Sequence, residues 1–76
     1  MDEIKLIAWK KKFEQEVKCI ETEYNSYFLN NRMEELYTIN LDESNEWDLG
    51  LSAQLPKEIK DRLMQIFLSA KPEDSV

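Results

Sequence analysis

Few residues in this chain could do covalent chemistry, and their spacing does not assemble them. Nucleophilic catalysis needs a nucleophile, a base and a group that orients the base. The 76 residues include no histidine, so neither Cys19 nor any serine has the usual acceptor for its proton. Ser26, Ser44, Ser52, Ser69 and Ser75 all lie outside the tight strand-to-helix turn that exposes a catalytic serine. Loops that cradle phosphates or dinucleotides need glycines so that the backbone can approach the ligand. Gly50 is the single glycine.

Carboxylates are plentiful, at 16. Two of them could act as acid and base only in a cleft that raises one pKa, and so short a chain offers little depth for one. The run Asp42-Glu43-Ser44-Asn45-Glu46-Trp47-Asp48 superficially suggests a calcium loop. Such a loop wants Gly at its sixth place and Glu at its twelfth; here those places hold Trp47 and Ala53. Cys19 has no partner for an internal disulfide, and it is expected on the apolar side of a helix as a small hydrophobe. No catalytic, cofactor-binding or metal-ligating residue is expected, no cofactor is implied, and the chain is expected not to be an enzyme.

Charge is more informative. Residues 1–13 carry Lys5, Lys10, Lys11 and Lys12 against Asp2 and Glu3, a net of +2. Residues 14–48 carry ten acids against Lys18 and Arg32, a net of −8, and residues 49–76 balance at four each, which gives the whole chain −6. Such a field repels nucleic acid, whose phosphates must be neutralised for binding, and speeds encounter with a basic surface. Lys10-Lys11-Lys12 does not offset this, because three consecutive helical residues fan around the axis. No direct nucleic-acid binding is expected.

These groups must be positioned by a few elements. Leu6, Trp9, Phe13, Val17, Ile20, Tyr24 and Tyr27 recur every three or four residues, which predicts one long helix over 3–29 capped by Asp2. Glu14–Lys18 and, later, Glu58–Arg62 are favourable pairs four apart. Asn30-Asn31 marks a break, and Asn31 with Glu34 has capping-box form, so a short helix over 32–37 is predicted. Tyr37, Ile39 and Leu41 alternate with polar residues, as do Trp47, Leu49 and Leu51. That period of two flanks a polar connection and predicts a β-hairpin with strands 37–41 and 47–51; the rival is a helix followed by an extended loop. Pro56 suits a first helical position, and Ile59, Leu63, Ile66, Phe67 and Ala70 give a last helix over 56–70 before Pro72 and a loose tail, 71–76.

The expected fold is α+β and helix-dominated, with a long N-terminal helix, a β-hairpin and a C-terminal helix in one domain, 1–76; the alternative is an all-α three-helix arrangement. No run approaches the roughly 20 apolar residues of a membrane span, and the start is acidic before it is apolar, unlike a secretory signal. A cytoplasmic location follows. The expected function is that of a non-catalytic, acidic protein-binding domain of the inhibitor, antitoxin or immunity type, occupying a partner's basic surface. Glu34, Glu35, Asp42, Glu43, Glu46 and Asp48 would supply charge, with Tyr37 or Trp47 as the aromatic anchor. The alternative is a self-associating scaffold subunit joined through Phe13, Val17, Ile20 and Tyr24. A third is a small transcription regulator. Leu51 to Ile59 has a faint likeness to the strand-to-helix start of ribbon-helix-helix repressors, but that fold requires a further helix and no family resemblance is drawn from it.

Overall fold

The computed structural model describes residues 2–72. It contains α1 (Glu3–Glu23), α2 (Asn25–Phe28), a 3-10 turn (Met33–Glu35), β1 (Tyr37–Leu41), β2 (Trp47–Leu51) and α3 (Lys57–Ala70). The α+β, helix-dominated architecture and both strand spans are as the alternation predicts. No helix is long and apolar enough to cross a membrane.

α1 starts where Asp2 accepts the Lys5 backbone N–H at 2.9 Å, satisfying one of the donors a helix start leaves open. Leu6, Trp9, Phe13, Val17 and Ile20 form its buried stripe. α3 runs antiparallel to it, so Trp9 meets Phe67 near one end while Glu23 meets Arg62 near the other. The hairpin lies on this pair. Phe13 sits at the junction, edge-on to Tyr37 at 5.5 Å and to Phe67 at 5.4 Å. Phe13, Ile20 and Leu63 are the largest fully buried side chains, each contributing about 1.5–3 kcal/mol through burial.

At the far end of α3 the chain leaves the helix early. The Lys71 N–H bonds the Leu68 carbonyl at 3.3 Å, and the Trp9 indole N–H donates to the Phe67 carbonyl at 2.9 Å. A side chain of α1 thus supplies the donor that the helix end cannot.

In the hairpin, Tyr37, Ile39 and Leu41 pair with Leu51, Leu49 and Trp47, so these six side chains share one face; five of them pack in or against the helical core, while Leu41 at the strand end stays exposed. Thr38, Asn40, Asp48 and Gly50 occupy the other face. Gly50 leaves room there for the Thr38 hydroxyl, which a Cβ would approach to 2.8 Å and force to turn away. The connection is closed by Asp42, whose carboxylate accepts the backbone N–H groups of Ser44 at 2.8 Å and Glu46 at 3.0 Å. Asn45 follows with φ 60°, a left-handed conformation that asparagine tolerates.

Several expectations are corrected. The predicted helix 3–29 breaks at Tyr24 (φ −112°, ψ 43°), and α2 is a separate turn. No Gly or Pro forces this break; Asn25 and Ser26 compete for the backbone and weaken helix there, and the Tyr24 hydroxyl reaches across to Glu58 at 3.1 Å. The predicted helix 32–37 is only the 3-10 turn, with no side-chain cap; Asn31 instead donates its amide to the Tyr27 carbonyl at 2.9 Å. Pro56 is the cap of α3 rather than its first residue. Arg62 bonds Glu23 on α1 at 3.0 Å rather than Glu58 four residues before it. Cys19 is exposed, since its position one residue before Ile20 turns it by about 100° from the buried stripe. Lys71 is no loose tail: its Nζ is 2.7 Å from Glu46 and 5.6 Å from the Trp9 ring. Residues 73–76 of the expected tail lie outside the described residues.

Candidate functional site

The structure sorts the six predicted acids into different roles. Asp42 is consumed by the hairpin turn. Glu46 is held by Lys71, which ties the hairpin to the end of α3. Glu43 projects from the connection, and Asp48 stands with Asn40 on the outer hairpin face; among the described residues neither carries an ion pair. Glu34 lies 3.9 Å from Arg32 with both side chains largely in solvent, a contact worth about 0–1 kcal/mol. Glu35 is exposed beside it. The acids therefore form two groups rather than one patch: Glu34 and Glu35 before β1, and Glu43 and Asp48 around its far end. The five-residue strand β1, roughly 13 Å from end to end, lies between them.

The first group is larger than the sequence suggested. Tyr37 is half-buried, and its phenol pKa is raised above the ordinary value by burial and then by the carboxylates of Glu14, Glu21 and Glu34. Glu14 and Glu21 lie two helical turns apart on α1 and so project on one side of it. A hollow of about 200 Å³ is lined by Lys10, Glu14, Glu34, Tyr37, Thr38 and Ile39. A second, of about 380 Å³, is lined by Glu21, by the 28–33 segment and by Glu34. Glu34 is common to both. What the arrangement offers is a shallow acidic ledge with a tyrosine ring at its inner edge, suited to a lysine or arginine side chain that pairs with carboxylate and lies against the ring. No group of three or more Cys, Asp or Glu among the described residues has the spacing to hold a metal ion.

Glu14 and Glu21 are the site residues that the sequence reading missed. The signal was their seven-residue spacing on one side of the long helix, which the charge count over 14–48 absorbed without assigning a direction.

Trp47 belongs to the fold as much as to the surface. Its indole N–H donates to the Leu6 carbonyl at 2.8 Å, and Lys10 Nζ sits 5.6 Å from its ring. The remainder of the ring is open beside Ile7, Lys11 and Glu14.

The predicted self-association seam is not available. Phe13, Val17 and Ile20 are buried within the chain's own core, and Tyr24, partly buried, is turned to Glu58. The physical reason is that α3 and the hairpin cover the stripe that an isolated α1 would offer to another copy. Compared with known proteins, the chain matches no family, no curated protein and no solved structure.

Proposed function

We infer that this chain is a non-catalytic binding domain, cytoplasmic in setting, whose acidic ledge docks on a basic surface of a protein partner. The single observation that carries this reading is that Glu14 and Glu34 line one hollow with the half-buried Tyr37, with Glu21 adding to the negative field at its ring. Carboxylates from two elements lie about one ring, and the ion pair recorded for them among the described residues is the long, solvent-exposed contact of Glu34 with Arg32. Glu35, Glu43 and Asp48 extend the negative field and speed encounter. An inhibitor, antitoxin or immunity-type role fits such a surface, because masking a basic functional site needs charge and shape but no turnover.

The test compares the wild type with a Glu21→Lys/Glu34→Lys variant as immobilised bait in lysate of the native host. Proteins held by the wild type at low salt should elute as salt rises, and the variant should retain at least tenfold less of them. Equal retention by both proteins, insensitive to salt, would refute the proposal.

A further inference from the structure

Of the six large hydrophobic side chains left exposed among the described residues, three gather at one end of the molecule, whereas Leu29, Met64 and Leu68 lie elsewhere in the sequence. Ile4 and Ile7 leave 80% and 58% of their surface exposed on the first turns of α1, and Leu41 is 52% exposed at the end of β1. They are linked through Trp47. Leu41 is the cross-strand partner of Trp47, Trp47 is bonded to the Leu6 carbonyl, and the open side of its ring shares a hollow with Ile7. Ile4 precedes Ile7 by one turn on the same side of the helix. Contiguous apolar ground of this kind marks an interaction surface.

Its charged margins indicate what covers it. Lys10 and Lys11 border it along α1, with Glu14 at the edge of the same hollow, while Asp42 and Glu43 adjoin Leu41 on the hairpin connection. A uniformly basic or uniformly acidic partner would be repelled by one of these margins. A copy of the same surface, turned by a two-fold axis, meets each margin with its opposite, because such an interface is isologous. The geometry points to a homodimer in which Ile4, Ile7, Leu41 and Trp47 of one chain pack on the same residues of a second, with Lys11 facing Glu43 twice across the axis.

This interface meets the partner reading at its margin, where Glu14 lines the hollow beside Trp47 as well as the ledge and Glu43 enters the dimer contact. Glu34 precedes the other end of β1 and Asp48 is on the opposite hairpin face, so neither is covered in the dimer. Four side chains make a small contact, in the weak and reversible class.

Sedimentation equilibrium of the intact chain from about 10 to 500 µM covers that class. The average mass should rise from 9.1 kDa toward twice that value. Leu41→Glu and Ile7→Glu, both at exposed positions, should weaken association at least tenfold with unchanged far-UV circular dichroism. Lys11→Glu and Glu43→Lys should each weaken it, and the two together should restore it. A mass that stays at 9.1 kDa throughout, association indifferent to Leu41→Glu, or failure of the charge swap to restore it would overturn the proposal.

Discussion

Replacing Trp9 by Phe tests how α3 is ended. The indole is buried, and its N–H is the donor to the Phe67 carbonyl at 2.9 Å. That carbonyl lies in the last turn of α3, and the N–H four residues on belongs to Lys71, which bonds Leu68 instead. Trp9→Phe therefore removes a net hydrogen bond of about 0.5–1.5 kcal/mol and leaves a buried acceptor, at about 1–3 kcal/mol. Loss of the second ring adds about 1 kcal/mol of apolar burial. Allowing for overlap between the first two effects, the expected loss is about 2–4 kcal/mol, out of roughly 4–11 kcal/mol for a domain of this length. Trp47→Phe is the control. It deletes the same N–H, but the Leu6 carbonyl lies inside α1 and keeps its helical donor, so about 1 kcal/mol should be lost. Urea unfolding followed by far-UV circular dichroism gives both values. Equal losses for the two variants, or a Trp9→Phe loss below about 1 kcal/mol, would refute the argument that Trp9 satisfies an otherwise orphaned carbonyl.

Asn45→Ala should lower stability by about 1 kcal/mol, because φ at that position is 60°; Asn45→Gly should be near neutral, and thermal melts would separate the two by about 4–8 °C. Tyr37 should titrate above the ordinary tyrosine range, since burial and then Glu14, Glu21 and Glu34 disfavour its phenolate. With the folded pKa raised, its contribution is complete below the unfolded value and is lost as pH climbs through the folded one. Tyrosinate absorbance, assigned by Tyr37→Phe, should show a late-titrating phenol that moves down in Glu34→Gln. Cys19, exposed in the native fold, should react with a disulfide reagent as fast before urea unfolding as after it; strong native protection would contradict its placement.

The hairpin was legible because its strands alternate apolar and polar residues on both sides of a polar connection, and that pattern survives folding unchanged. α3 was legible for the same kind of reason, its apolar residues following the helical period. The break at Tyr24 was not, because Asn25 and Ser26 resist helix only mildly, and the contact of Tyr24 with Glu58 that accompanies it lies far away in sequence. The pairing of Arg62 was misread for a similar reason. Glu58 four residues before it is the local choice, but antiparallel packing brings Glu23 within 3.0 Å and leaves Glu58 to Tyr24. In the candidate site, net charge located the acidic region correctly but not its geometry. Asp42 was read as a contact residue although aspartate at the start of a turn commonly bonds its own backbone, as it does here. Glu14 and Glu21 join Glu34 only once β1 is laid beside α1.

The position of Phe13 has a consequence for how the molecule opens. Its ring is the shared floor of the hairpin, through Tyr37, and of α3, through Phe67. Neither element can lift away without exposing a surface on which the other rests. Native-state hydrogen exchange should therefore find one cooperative unit: slow amides in β1 and β2 and those in the middle of α3 would share a single opening free energy, equal to that of global unfolding.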